Sequence, residues 1–223
     1  MSGRAAGRRF DAEEGVTTEA LLFLGELDPE AIGASLNDAT HYQPVPIAEF
    51  EALLRAAPLP FGDATFVDLG SGMGRAVLLA ARHPFRTIVG VEISPALHAV
   101  ARDNLARVDR SSWRCRDVRL VCRDALDYRW PPGDLVVFLF NPFRAGVFGS
   151  VVRGLEARRA AGRVVVLYHT PLERALFDTS GSFEVVAELG YAVVYRLIAP
   201  SDRRRSRTRR PSRSVTRRTP DTE

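Results

Sequence analysis

Three glycines and two carboxylates near the middle of the chain have the types and spacing of a nucleoside-binding site. Gly70, Gly72 and Gly74 follow a short apolar run, and Asp68 stands two residues before the first of them. Glycine permits a tight turn and lets a ligand approach bare backbone. Glu92 ends a second apolar run, where a carboxylate accepts hydrogen bonds from ribose hydroxyls. The pattern predicts a nucleoside site.

The details of the turn favour one kind of nucleoside. A dinucleotide fingerprint requires G-x-G-x-x-G, whereas this chain has G-x-G-x-G with Arg75 in the sixth position. A carboxylate at Asp68 repels a pyrophosphate and attracts an ammonium group. A nucleoside with a ribose, an ammonium group and no phosphate describes S-adenosyl-L-methionine. An NAD-dependent oxidoreductase is disfavoured, and a Rossmann-like domain that has lost its ligand is the remaining alternative.

The same segments resemble the first two motifs of class I S-adenosylmethionine-dependent methyltransferases, as D-L-G-S-G-M-G from Asp68 and V-G-V-E ending at Glu92. The resemblance implies that Asp68 binds the ammonium group of the cofactor and that Glu92 binds its ribose. The amino-acid part of the cofactor is then expected on the glycine turn, at Gly70, Ser71 and Gly72.

Polar residues also follow the third predicted strand. Asp124 and Ala125 come directly after an apolar run that ends at Cys122. In the methyltransferase interpretation, Asp124 accepts from the exocyclic amine of adenine and the Ala125 N–H donates to the ring. A helix cap is the alternative role for Asp124, since aspartate is a preferred N-cap residue.

The segment Asn141-Pro-Phe143 follows the fourth predicted strand and is the clue to the acceptor. It partly resembles the Asn/Asp-Pro-Pro-aromatic motif of amino-group methyltransferases, although one proline is missing and the aromatic comes one place early. It equally resembles the Asn-Asn-Phe of Dot1-type histone-lysine methyltransferases. Both resemblances imply that Asn141 and Phe143 are catalytic, that Asn141 also lies against the cofactor, and that the target is a nitrogen. A structural turn is the alternative.

Further side chains are candidates for the same cleft. Methyl transfer depends mainly on in-line positioning, so a general base is optional. His169 stands at a strand end, and its neighbour Tyr168 is a second candidate, but a satisfied structural histidine is the preferred interpretation. Tyr42 precedes Gln-Pro in a segment that resembles small protein-lysine methyltransferases, which implies a lid over the cofactor; a packing aromatic is the alternative. The motifs G-V-T-T-E, H-Y-Q-P and L-H-A-V-A-R resemble a bacterial methyltransferase family of undefined substrate.

These residues require a doubly wound sheet to bring them together, because ligands bind beyond the carboxyl ends of parallel strands. Apolar runs predict five such strands, and two final strands meet at Gly190. The predicted fold class is α/β, a Rossmann-like seven-stranded sheet of the class I methyltransferase type. Its strands are expected at 66–69, 87–92, 116–122, 134–140, 163–168, 183–189 and 191–198.

The segments before and after the predicted sheet are expected to form separate parts of the protein. Residues 1–60 are predicted to form an N-terminal helical cover, residues 61–200 the methyltransferase domain, and residues 201–223 a disordered arginine-rich tail. Within the cover, we expect disorder at the start of residues 1–9 and a helix over 46–57. Thr17 or Thr18 is expected to cap a further short helix.

The charge is unevenly distributed. The chain of 223 residues has a net charge of +4, and its last 23 residues hold nine arginines and three acidic residues, which leaves about −2 for the rest. A basic tail neutralises phosphates, so weak contact with nucleic acid or another acidic surface is one interpretation, and a solubilising extension with no specific partner is the other. A nucleic-acid-binding protein that uses the tail, with the Rossmann body as a scaffold, is the alternative function. The acceptor and the oligomeric state are left open.

Cysteine usage and hydropathy exclude several classes. Cys115 and Cys122 are the only cysteines, and their spacing matches no zinc pattern, so we expect structural thiols and no metal. Apolar runs such as 135–140 are too short to span a bilayer. Arg8-Arg9 is followed by acidic residues rather than by an apolar export segment. We therefore expect a cytoplasmic protein.

Overall fold

The computed structural model describes residues 3–23, 41–142, 145–158 and 160–199. The predicted catalytic residue Phe143 and the predicted disordered tail lie outside the described residues. Within them, no helix has the length and apolar character needed to cross a bilayer. The same residues contain no cluster of three or more His, Cys, Asp or Glu side chains arranged to hold a metal ion.

The N-terminal part lies before the main sheet in the chain and packs against it. It consists of helix α1 (Gly3–Glu14), the two-residue strands β1 (Leu22–Phe23) and β2 (His41–Tyr42), which pair antiparallel, and helix α2 (Ile47–Ala56). Helix α2 forms as predicted, because Phe50, Leu53 and Leu54 share one face and are buried.

A seven-stranded mixed sheet forms the centre of the fold and confirms the predicted fold class. Its strands lie in the order β5-β4-β3-β6-β7-β9-β8. Strands β3 to β7 pair in parallel, and β9 pairs antiparallel with both β7 and β8. The strands are β3 (Thr65–Leu69), β4 (Thr87–Glu92), β5 (Val118–Cys122), β6 (Leu135–Phe140), β7 (Val164–His169), β8 (Phe183–Glu188) and β9 (Ala192–Leu197).

Helices cover both faces of this sheet. They are α3 (Arg75–Ala81), α4 (Pro95–Arg107), a 3-10 helix (Ala125–Asp127), α5 (Ala145–Ala157) and α6 (Arg174–Asp178). Strands β3 and β7 are buried along their whole length, as expected for parallel strands covered on two sides. Phe50 of α2 meets Phe66 and Phe138 on one face, and Phe148 of α5 meets Tyr168 on the other. The two faces thus form two apolar cores.

The strand order places a switch point between β3 and β6. From β3 the chain moves outward through β4 and β5 and then returns to pair β6 with the other edge of β3. At such a point the loops leaving the two central strands diverge and open a crevice at the carboxyl ends of the strands. The predicted site residues at the ends of β3, β4 and β6 border this crevice.

The start of the N-terminal part differs from the sequence-based expectation. Residues 1 and 2 lie outside the described residues, and from Gly3 to Glu14 the chain forms helix α1, which the sequence did not predict. Thr18 does not cap a helix, since residues 16–21 are not helical. Its N–H and its hydroxyl both donate to the Asp11 carboxylate at 2.6 Å. The N–H groups of Thr18 and Glu19 are thus bound by Asp11 of α1 rather than by a helix cap. The predicted cap is wrong.

Candidate functional site

The glycine turn follows β3 and is held against β4. Gly70, Gly72 and Gly74 all have positive φ, at 80°, 53° and 88°, a region that side chains disfavour. The N–H groups of Gly70 and Ser71 donate to the Val91 carbonyl at 2.9 and 3.0 Å. The backbone conformation of the turn is therefore one sufficient reason for its glycines.

Protein side chains also lie close above two of these glycines. A Cβ atom on Gly70 would stand 2.6 Å from Cβ of Pro142, and one on Gly72 would stand 2.3 Å from the Tyr42 ring. Tyr42 is buried there, and its hydroxyl donates to the Thr18 carbonyl at 2.7 Å. Tyr42 thus covers the glycine turn, and its predicted contact with a cofactor remains a prediction.

Glu92 binds the turn from the end of β4. One of its carboxylate oxygens accepts from the Gly72 N–H at 2.7 Å, and the other accepts from the Ser94 N–H at 2.8 Å. Burial raises the pKa of Glu92, and the backbone hydrogen bonds oppose that shift. Glu92 is therefore fixed in place at the position where the ribose-binding carboxylate was predicted.

Asp68 and Ser71 carry the least satisfied polar groups of the turn. Asp68 is 3 % exposed, and burial, followed by the nearby Glu92, raises the pKa of its carboxyl to about 8. The Ser71 hydroxyl is buried without a hydrogen-bond partner among the described residues. Both residues border a cavity of about 30 Å³ that Tyr42 and Gly70 also line. A buried carboxyl next to an unpaired hydroxyl suits a ligand with an ammonium group.

The adenine-side candidates lie at the end of β5, next to Glu92. Cys122 pairs with Glu92 in the sheet register, and Asp124 follows two residues later. Asp124 caps the 3-10 helix, with Oδ1 accepting from the Leu126 N–H at 2.9 Å. The cap that was the alternative role is thus present. The adenine contacts of Asp124 and of the buried Ala125 stay predictions.

Asn141 borders a larger cavity beyond β6. Its φ is +42°, a conformation that asparagine tolerates better than most residues. The cavity has a volume of about 280 Å³, and it shares Gln43 and Phe140 with the smaller cavity at Asp68. Its lining consists of Gln43, Pro46, Glu49, Phe140, Asn141, His169 and Thr170.

His169 and Tyr168 point to opposite faces of β7, as successive strand residues must. His169 meets the Glu49 carboxylate at 2.6 Å through Nε2 and the Thr170 hydroxyl at 2.9 Å through Nδ1. Burial lowers the pKa of His169, and Glu49 opposes that shift. Tyr168 instead stacks on Phe148 in the core of the other face. Tyr168 therefore does not reach the cleft.

Arg75 is a site residue that sequence reasoning did not recognise. It is 3 % exposed, and its guanidinium meets Asp11 at 3.2 Å and Glu19 at 2.8 Å. Its Nε donates to the Thr18 hydroxyl at 2.6 Å. Arg75 thus fastens the N-terminal segment over the glycine turn. A single arginine at the start of the otherwise apolar helix α3 was the available signal, because a buried charge needs partners.

Asn104 of α4 makes a second connection to the N-terminal segment. Its amide nitrogen donates to the carbonyls of Thr17, at 2.8 Å, and Met73, at 3.0 Å. Its amide oxygen accepts from the Thr17 N–H at 2.8 Å. One buried side chain therefore joins the helix after β4, the glycine turn and the segment that covers the turn.

The strand order, the glycine turn after β3 and the carboxylate ending β4 define the fold of class I S-adenosylmethionine-dependent methyltransferases. No protein-family model matches the chain, and no curated protein gives a significant match. Among solved structures, the inferred methyltransferase yhhF of Escherichia coli aligns with a TM-score of 0.52 and 21% identity, over 68% of this chain and 86% of its own.

Two further solved structures are similar at a comparable level. The 23S rRNA methyltransferase ErmE aligns with a TM-score of 0.50 and 15% identity, over 70% of this chain and 68% of its own. A precorrin 8W decarboxylase from Methanobacterium thermoautotrophicum aligns with a TM-score of 0.50 and 18% identity, over 70% of this chain and 91% of its own. At these identities the likeness concerns the fold alone.

Proposed function

We propose that this protein is an S-adenosylmethionine-dependent methyltransferase that methylates a nitrogen atom of a protein side chain or a small molecule. The observation that carries the proposal is the buried Asp68 carboxyl beside the glycine turn, at the switch point of a class I methyltransferase sheet. No described residue donates a hydrogen bond that lowers its pKa. A ligand that brings a positive charge would satisfy it.

Each residue has a defined task in this proposal. The cofactor supplies an activated methyl group, so the protein has mainly to bind, orient and exclude water. Asp68 holds the ammonium group, with Gly70, Ser71 and Gly72 beside the amino-acid part. Glu92, already fixed by two backbone N–H groups, holds the ribose. Asp124 and Ala125 border the adenine.

The acceptor is expected in the cavity beside Asn141. The amide oxygen of an asparagine and a backbone carbonyl accept hydrogen bonds from an amine and direct its lone pair. The positive φ of Asn141 sets the direction of the chain as it leaves β6. The larger and the smaller cavity share two wall residues, which supports an acceptor next to the cofactor.

Isothermal titration with S-adenosylhomocysteine tests the cofactor assignment. We expect the wild-type protein to bind, and Asp68→Asn and Glu92→Gln each to weaken binding by about 30-fold, the equivalent of about 2 kcal/mol for a lost charge-assisted hydrogen bond. Asp127→Asn is the control, since Asp127 is an exposed carboxylate near the same edge. Absence of binding to the wild type, or unchanged affinity in both variants, would contradict the proposal.

Cofactor binding is also expected to release a proton from Asp68. The pKa of the Asp68 carboxyl is raised to about 8, so in the free protein the neutral acid predominates below that pH. A bound ammonium group favours the carboxylate, which means that affinity rises with pH, by at most about tenfold per unit, and levels off above the pKa.

Titrations between about pH 6 and pH 8, in two buffers of different ionisation enthalpy, measure this proton release. The Asp68→Asn variant has no carboxyl to ionise, so we expect it to lose the release that depends on Asp68. An affinity that is independent of pH in the wild type would mean that Asp68 does not meet the charged group.

A further inference from the structure

We propose that the cavity beside Asn141 recognises an amine acceptor in its protonated form through the charge of the Glu49 carboxylate, with His169 as the residue that positions Glu49. The bound ammonium group releases its proton to solvent before its nitrogen lone pair takes the methyl group. The inference rests on the proposed function, because it names the class of acceptor for that site. It assigns a specificity-determining role to a helix that precedes the methyltransferase motifs in the chain.

The charge of the cavity supports a cationic ligand. Among its described lining residues, Glu49 is the one acidic side chain. Burial lowers the pKa of His169, which favours the neutral imidazole, and Glu49 opposes that shift. None of the described residues that line the cavity is a lysine or an arginine. Among the described lining residues, a cation entering this space therefore meets the Glu49 carboxylate and no lysine or arginine.

Glu49 is held in a way that leaves it accessible. Its side chain is 35 % exposed, whereas that of His169 is 6 % exposed. His169 contacts one carboxylate oxygen of Glu49 at 2.6 Å, and its other ring nitrogen is fixed by Thr170 at 2.9 Å. The second oxygen of Glu49 has no hydrogen bond from a described residue. One oxygen is thus positioned and the other is available to a ligand.

Backbone strain is concentrated at the same cavity. Two non-glycine residues in the described chain have positive φ, Asn141 at 42° and Thr170 at 47°. Both line this cavity. Such conformations are unfavourable and cluster at ligand sites, where the surrounding structure maintains them. Here the two residues directly follow the neighbouring parallel strands β6 and β7, and both line the space that Glu49 borders.

The size and walls of the cavity limit the amine. A volume of about 280 Å³ lies just below the range of typical small-molecule sites, roughly 300–1,000 Å³. Pro46 and Phe140 provide apolar contact, and an aromatic face attracts a cation. A free alkylamine and the aliphatic amine of a lysine side chain share this chemistry, and the two sources are distinguished by experiment.

A charge series on the wild-type protein tests the inference without any variant. With the protein saturated in S-adenosylhomocysteine, n-butylammonium, 1-butanol and butyrate are titrated in turn and followed by amide NMR. We expect n-butylammonium to bind at least about tenfold more tightly than 1-butanol, with shifts at Asn141 and Thr170, and butyrate to bind least. Equal binding of the amine and the alcohol, or tighter binding of butyrate than of the amine, overturns the inference.

Two matched variants then identify the residue responsible. Glu49→Gln is expected to remove the preference for n-butylammonium over 1-butanol. Glu51→Gln is expected to keep it, although Glu51 lies on the same helix and pairs with His83 at 3.1 Å, outside this cavity. His169→Gln is expected to weaken amine binding less than Glu49→Gln and to retain part of the charge preference. An unchanged preference in Glu49→Gln overturns the assignment.

Two further comparisons identify the source of the amine and distinguish failure of this inference from failure of the proposed function. N-acetyl-lysine methylamide replaces n-butylammonium in the same titration, and tighter binding of the lysine derivative indicates a protein side chain. If S-adenosylhomocysteine binds and no amine does, this inference fails and the proposed function stands. If S-adenosylhomocysteine does not bind, the proposed function fails, and the charge series on the unliganded protein still decides whether the cavity selects cations.

Discussion

Replacing Arg75 by methionine is expected to lower the free energy of unfolding by about 3–5 kcal/mol, because it removes one partner of a buried ion-pair network. Its guanidinium meets Asp11 at 3.2 Å and Glu19 at 2.8 Å, and both carboxylates are more than four-fifths buried, with 14 % and 13 % of the side chain exposed. Without the cation, those two negative charges would remain close together in a poorly solvated position. Methionine preserves much of the apolar volume, so the loss reflects charge rather than a cavity.

Urea unfolding measures the total effect, and amide hydrogen exchange shows where it occurs. We expect exchange to accelerate first at Thr18 and Glu19, whose N–H groups donate to the Asp11 carboxylate. Arg9→Met is the control, since Arg9 forms an exposed ion pair with Glu13 on α1, and exposed pairs contribute little. Equal destabilisation by the two substitutions would show that Arg75 does not fasten the segment.

The sheet was predictable because its signals are local. Strands β3, β6 and β7 are short apolar runs buried on both faces, and each precedes a glycine or polar residue. Helix α4 also begins at a local signal, since Ser94 is a preferred N-cap residue and Pro95 suits the first helical position, and the Ser94 hydroxyl accepts from the Leu97 N–H at 3.3 Å. The prediction that these strands form a sheet of the class I methyltransferase type came from the resemblance to that family rather than from any local pattern.

The N-terminal cover was predictable only in outline because its contacts are distant in sequence. Arg75 meets Asp11 across 64 residues, and Asn104 meets Thr17 across 87. Neither pairing leaves a periodic signal. In the sequence, Arg75 was noted only because it breaks the dinucleotide fingerprint. That local observation could not show that its side chain forms an ion pair with Asp11 of α1.

The acceptor side of the cleft shows a different limit. Sequence placed His169 and Tyr168 at a strand end but could not decide between them, since the choice depends on which face of β7 meets the cleft. Glu49 was not identified as a site residue, because an acidic residue in the first turn of a helix such as α2 is common. Its contact with His169 spans 120 residues and required the folded chain.

Gly72→Ala is expected to reduce the free energy of unfolding by about 3 kcal/mol, from backbone strain and from a clash together. The φ of Gly72 is +53°, and a Cβ atom would lie 2.3 Å from two atoms of the Tyr42 ring. That ring has little freedom to move, because it is buried and its hydroxyl is bonded to Thr18. Gly15→Ala is the control, since its φ is +67° and no atom lies within 4 Å of the added Cβ.

The double variant Tyr42→Ala/Gly72→Ala separates the two reasons for a glycine at this position. If the clash with Tyr42 dominates, the cost of Gly72→Ala should fall in the Tyr42→Ala background, with a coupling of roughly 0.5–3 kcal/mol. If a cofactor also lies against Gly72, S-adenosylhomocysteine affinity should stay low in the double variant even though the clash is gone. Recovery of both stability and affinity would mean that Gly72 is required by Tyr42 alone, because the alanine methyl group would then obstruct no ligand.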